Sequence, residues 1–263
     1  MEKIFLEKIG KSFLKKLDYF GGISGLFFYS LWEMLTGDRR GNRIVTQIVK
    51  KQLLFTGYNA LPIISIISLL LGVVIIIQSV TQLMQIGAED MIGKILIITM
   101  LREFGPILTA IIIIGRSGTA IATEIGNMMV AHEIEALESM GIDTLKFIVF
   151  PRLIGAIVST VCLTIYFATV GIIGGFLIAS FQLTIPFSRF FTILFSNMQI
   201  TDLIVAILKS AVFGAVISIV SVYHGFKIKL SSTEVPQATT KAVVNALIFV
   251  FVSNGIITVL FYI

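Results

Sequence analysis

The chain has 263 residues, 56% of them hydrophobic and 13% charged, with a formal net charge of +5. A soluble domain carries about 25% charged residues, so this composition, at a mean hydropathy of +0.99, marks an integral membrane protein. The single cysteine, Cys162, excludes a disulfide framework and reads as a small buried thiol. No basic patch interleaved with aromatics points to nucleic acid.

Residues 1–56 form a first region. On a helical wheel at about 100° per residue, Phe5, Leu6, Ile9, Phe13, Leu17 and Phe20 share one face, with Lys8, Lys11, Lys15 and Asp18 opposite. This is a basic amphipathic helix suited to the headgroup layer, although docking on protein would serve the same pattern. Gly21-Gly22 is expected to break it. The run 23–35 is too short to cross a bilayer and should lie in the interface with Tyr29 and Trp32 at headgroup level. A polar stretch, 36–52, follows with five basic residues.

Residues 57–263 read as an all-α membrane domain with five spans, at roughly 57–80, 92–122, 147–180, 203–223 and 242–263. The second is long enough to require a tilt or kink, and Gly105-Pro106 is the expected kink. Residues 1–51 hold ten of the twenty Lys and Arg, while the segments 81–91 and 181–202 hold only Arg189. The positive-inside rule therefore predicts a chain with its N-terminus inside and C-terminus outside, placed by expectation in the cytoplasmic (inner) membrane.

Between spans two and three, about 127–141, carboxylates at Glu133, Glu135 and Glu138 flank an apolar ridge of Val130, Ile134 and Leu137, with Met140 beside it. Gly141 suits a left-handed C-terminal position and Asp143 an N-cap. A short amphipathic helix of this kind fits a groove on a soluble partner; a solvated acidic turn is the plainer alternative. The spacing of His132, Glu135 and Glu138 also admits a metal, but the ligand set is too small.

Within the spans, Arg102 and Glu103 lie deep in the second, where charge is costly and faces a cavity or a partner helix. Gln78 is a weaker candidate for the same cavity. Lys209 either snorkels or meets an acid. Gly118, Ala122 and Gly126 make a small-residue packing ridge, and Gly171, Gly174 and Gly175 read the same way. Arg116 and Glu124 are expected to pair. The aromatic stretch 181–202 reads as a short helix on the outer surface.

No GxxxxGK[ST] pattern occurs, so the chain should not hydrolyse ATP. It also lacks a constellation suited to a lipid-modifying enzyme. A channel would show rings of polar residues along its spans, and these are mostly absent.

The run LREFGPILTAIIIIGRSGTAIATEIGNM (101–128), then EIEALESMGIDTLKFIVFPR (133–152) and ATTKAVVNAL (238–247), closely resembles the MlaE/YrbE-type permeases. These are the membrane subunits of ABC transporters that move lipids with MCE proteins as partners. The resemblance implies a second copy of the chain, a cytosolic ATPase dimer that binds the ATP and Mg, a periplasmic MCE protein, often a STAS-domain regulator, and a phospholipid substrate. It also implies that Glu133, Ile134, Leu137, Glu138, Met140 and Gly141 belong to the helix seated in the ATPase. By the same resemblance, Arg102 and Glu103 lie near the lipid cavity.

Overall fold

The computed structural model describes residues 21–26, 28, 29, 32, 42–88, 91–181, 186–228 and 231–262. The amphipathic pattern of residues 1–20 lies outside them. Gly21 and Gly22 are themselves helical, and a break ahead of them would fall outside the described residues. Gly22 is needed for contact instead: a Cβ there would stand 2.5 Å from the Tyr223 ring.

The helices follow in order. α1 is Asn42–Thr56 and α2 is Leu61–Gln85, joined by a 3-10 turn, Tyr58–Ala60. α3 runs Met91–Val130, α4 Glu133–Ser139 and α5 Leu145–Leu177. α6 is Phe187–Asn197, α7 Ile200–Phe226 and α8 Glu234–Tyr262. No strand occurs among the described residues. Five stretches are long and apolar enough to cross a membrane: Arg43–Gln85, α3, α5, α7 and α8.

The polar stretch 36–52 is therefore not merely a linker, because α1 begins within it. Val45 and Thr56 are buried, and Gln52 fills the space beside Gly155 of α5. Lys50 and Lys51 remain exposed. The side-chain periodicity of α1 thus hides one stripe against α5 while its mean composition reads as polar.

α3 has 40 residues, about 60 Å at 1.5 Å per residue, so it extends well beyond a bilayer core. The expected kink at Gly105-Pro106 takes the form of a π-helical segment, Ile97–Phe104, closed by the Gly105 N–H on the Met100 carbonyl. The wide turn ends where Pro106 has no N–H to offer. A second π turn follows at Ile114–Gly118, and α5 carries two more, Leu145–Val149 and Val170–Gly174.

α7 sits at the centre of the bundle, with almost all side chains from Phe213 to Gly225 buried. Its N-terminus is closed by a capping box between Gln199 and Asp202. α2 meets α5 backbone to backbone: a Cβ on Gly72 would lie 1.9 Å from the Gly171 carbonyl oxygen, and one on Gly175 2.6 Å from the Gly72 carbonyl carbon. By contrast α8 turns Val244, Ile248, Phe251, Ile256 and Val259 outward. Such apolar exposure suits a hydrocarbon solvent. Cys162, expected inside, is exposed on the outer face of α5.

Candidate functional site

One polar cluster joins α3, α7 and α8. Arg102 and Glu103 are neighbours in sequence and point about 100° apart, so each finds its own partner. Lys209 Nζ donates to Glu103 Oε1 at 2.8 Å, to the Arg102 carbonyl at 3.1 Å and to Thr258 Oγ1 at 2.8 Å. All three ammonium protons are thereby used, which a fully buried lysine requires. Asn254 Nδ2 donates to the other oxygen, Glu103 Oε2, at 3.2 Å. Lys209 thus meets an acid rather than snorkelling outward.

Arg102 pairs with Asp202, Nη2 to Oδ1, at 2.5 Å, and its guanidinium lies 4.4 Å from the centre of the Tyr262 ring. Asp202 is fully buried, and its second oxygen, Oδ2, accepts the Gln199 N–H at 3.1 Å. Two cations and two carboxylates thus balance in an apolar setting, the condition for keeping charge there.

The balance of hydrogen bonds is incomplete. Among the described residues, Arg102 Nε, Asn254 Oδ1 and Tyr262 Oη have no hydrogen-bond partner, and Asp202 Oδ1 has only its ion-pair contact. Arg102 and Glu103 keep 17% and 28% of their side-chain surface open. A buried polar group without a partner costs free energy, and these atoms lie beside the partly exposed Arg102 and Glu103. Gln78 stands exposed on α2 and takes no part in these hydrogen bonds.

Asp202, Asn254, Thr258 and Tyr262 were missed by the sequence reading. Their signal was spacing: Asp202 and Lys209 are seven apart, and Asn254, Thr258 and Tyr262 recur every four. Each set occupies one stripe of a helix.

Nearer the other end of the bundle, the expected Arg116–Glu124 pair does not form. Arg116 Nη1 donates to the Phe55 carbonyl at 2.6 Å and stacks on the Phe55 ring. Glu124 is instead bridged by Arg152 at 3.0 Å, reaching across from α5. Asn245 of α8 bonds His224 at 2.9 Å, and Thr123 bonds Thr239 at 3.1 Å. Along the small-residue ridge, a Cβ on Gly118 would meet Ser221 Oγ at 3.1 Å and one on Gly126 would meet Ile228 at 2.4 Å, while Ala122 is fully buried.

α4 closes the same end. His132 takes the left-handed conformation at φ 55° to turn the chain out of α3. The helix stops in a paired C-terminal turn: Gly141 N–H reaches the Glu138 carbonyl at 2.9 Å and Ile142 N–H the Leu137 carbonyl at 3.0 Å. Gly141 has φ 74°, and Asp143 Oδ1 caps the Leu145 and Lys146 N–H groups. Asp143 Oδ2 also accepts the Tyr29 hydroxyl at 2.9 Å.

The apolar ridge of α4 is turned inward, contrary to the expectation that it faces a partner. Ile134 is only 4% exposed and packs with Ile121, Ile125, Ile148, Val149 and Val222, with Leu137 against the same cluster. The outward face consists of Glu133, Glu135, Ala136, Glu138 and Met140. Glu138 accepts the Thr144 hydroxyl at 3.0 Å, while Glu135 meets His132 at 3.0 Å.

The match to known proteins decides what kind of chain carries this geometry. Residues 49–260 match the family model described as Permease MlaE. The chain belongs to the MlaE permease family. Within that family, this permease is 36% identical over 215 residues to a probable ABC transporter permease protein of Rickettsia bellii, covering 82% of this chain and 83% of the relative. It is 27% identical to the intermembrane phospholipid transport system permease protein MlaE of Haemophilus influenzae, over 98% of this chain and 97% of that one. A third relative, the chloroplastic protein trigalactosyldiacylglycerol 1 of Arabidopsis thaliana, is 28% identical over 88% of this chain and 69% of its own.

Proposed function

We propose that this permease is the membrane-spanning subunit of an ABC transporter that carries phospholipid between membranes, driven by a separate cytosolic ATPase dimer. The observation that carries the reading is the cluster around Arg102, with its leftover donors and acceptors. A zwitterionic headgroup matches it: the phosphate accepts from Arg102 Nε and the Tyr262 hydroxyl, and an ammonium donates to Asn254 Oδ1 and Asp202 Oδ1. The named relative from Haemophilus, a phospholipid transport permease, supports the same substrate class.

Two copies of the chain form the membrane unit, with an MCE protein on the outer side and, where present, a STAS-domain regulator inside. The orientation is N-inside and C-outside. It is supported by the sequence asymmetry in Lys and Arg and by five spans, which leave α4 and the Tyr262 end of α8 at opposite ends of the bundle. The ATPase docks on the acidic outer face of α4, through Glu133, Glu138 and Met140, while Ile134, Leu137 and Gly141 hold that face in place.

The test is purification of the chain in mild detergent, with mass spectrometry of bound protein and lipid. ATPase and phospholipid should both be retained, and Arg102→Ala should lose the phospholipid while keeping the ATPase. If neither is retained above the level of an unrelated five-span protein, the reading fails.

A further inference from the structure

A second site lies in the other half of the bundle, on the side of α4. The turn between α1 and α2 stands off α5 and leaves a groove of about 450 Å³ with apolar walls from Leu53, Leu61, Val158 and Leu163. Ser159, Cys162, Tyr58 and Tyr166 bring polar atoms to the lining, and the Tyr166 hydroxyl is paired with Ser65 Oγ at 2.7 Å. Ser159 is 3% exposed and its hydroxyl has no hydrogen-bond partner among the described residues, while Cys162, one turn on, is exposed and marks the open side.

Ser159, like Thr109, Ser117, Thr164 and Ser218, lacks the backbone hydrogen bond that many hydroxyls in these helices make, and of these five it is the one that lines this groove. Ser65, Thr160, Thr169 and Ser210 each donate to the carbonyl four residues earlier, at 2.7, 2.7, 2.8 and 2.7 Å. That bond makes a hydroxyl cheap to bury in an apolar helix. Ser159 forgoes it beside the turn between α1 and α2, where Gly57 comes close: a Cβ there would stand 2.7 Å from the Leu53 carbonyl oxygen and 3.3 Å from Ser159 Oγ.

The level and the flanking chemistry select the occupant. Ser159 lies fourteen residues past Leu145, about 21 Å along α5 and within its first half. A groove opening sideways from a spanning helix at that depth meets hydrocarbon rather than water. Lys50, Leu53 and Gly57 are spaced i, i+3 and i+7, so the exposed Lys50 stands about two turns towards the α4 end on the groove's side. Tyr58, 67% exposed, also lines it.

We infer that this groove binds an anionic glycerophospholipid of the leaflet on the α4 side. One acyl chain lies along the apolar walls, an ester carbonyl accepts from the Ser159 hydroxyl, and Lys50 faces the phosphate. The site is separate from the charge cluster and does not depend on transport through it.

The experiment uses the full chain in nanodiscs with a trace of phosphatidylglycerol bearing a diazirine on one acyl chain. After irradiation, peptides covering 53–61 and 158–166 should carry more label than the exposed face of α8 around Val244, Phe251 and Val259. Ser159→Ala should reduce the groove label about five-fold, the equivalent of one neutral hydrogen bond, without changing the unfolding temperature. Cys162→Trp, at an exposed position, should fill the groove and abolish the label. Lys50→Gln should remove the preference over a phosphatidylcholine probe. Equal labelling of groove and α8 in the wild type would overturn the site, as would full labelling of Ser159→Ala. Cross-links between two chains at these peptides, in place of lipid adducts, would overturn it as well.

Discussion

Lys209 on α7 and Glu103 on α3 are joined at 2.8 Å, and no part of the lysine side chain is exposed. Removing one partner leaves an uncompensated charge in an apolar interior, a loss on the order of 3–5 kcal/mol. Lys209→Met and Glu103→Gln should each lower the unfolding temperature in detergent, and the double variant should lose less than the sum. A strictly additive cycle would mean that the pair contributes nothing to stability.

Tyr262→Phe separates binding from folding. Its buried hydroxyl has no hydrogen-bond partner among the described residues, so its removal forfeits no bond and stability should be unchanged or slightly raised. Bound phospholipid and lipid transfer should fall, because the headgroup loses a donor. Unchanged transfer would remove Tyr262 from the site.

Asp202 has two tasks, and two substitutions divide them. Asp202→Asn keeps an oxygen for the Gln199 N–H but removes the charge that faces Arg102. Asp202→Ala loses the cap as well, a further cost of about 1 kcal/mol. Comparing unfolding temperatures of the two variants measures the cap; their lipid retention should be impaired alike.

On α4, the inward and outward faces should give different phenotypes. Ile134→Ala removes a buried side chain and should destabilise the bundle by about 2–5 kcal/mol. Glu133→Lys with Met140→Ala should leave the fold intact and reduce the ATPase recovered per permease. If Ile134→Ala instead weakens only ATPase recovery, the helix must rotate on docking.

Reporter fusions test the orientation. A reporter after Ile263 should read as external and one within 228–238 as cytoplasmic. Both on one side would remove the five-span arrangement.

Much of the fold was legible because an apolar run of about twenty residues has few alternatives to a spanning helix. The five spans appear at the expected places, and Gly141 and Asp143 take the conformations their residue types favour. What could not be read was direction around a helix axis. In α4, the ridge of Ile134 and Leu137 was visible, but a short helix beside a membrane bundle can turn an apolar stripe either way, and here it packs against α3, α5 and α7. Pairing failed for a related reason. Arg116 and Glu124 are eight apart, too far to touch along one helix, and their partners come from α1 and α5. The charge cluster was half legible: Arg102, Glu103 and Lys209 announce themselves by charge, whereas Asn254, Thr258 and Tyr262 look ordinary until α8 is laid beside α3.

The glycine seam between α2 and α5 also sets what can move. With no side chain at Gly72 or Gly171, no rotamer change can absorb a shift between those two spans, so they travel as a single strut. α8 has the opposite mechanics: most of its surface faces outward, and hydrogen bonds from Thr239, Asn245, Asn254 and Thr258 pin it to its neighbours. With few buried contacts beyond those bonds, α8 is the span held least firmly by packing, and Arg102 lies under its far end against the Tyr262 ring.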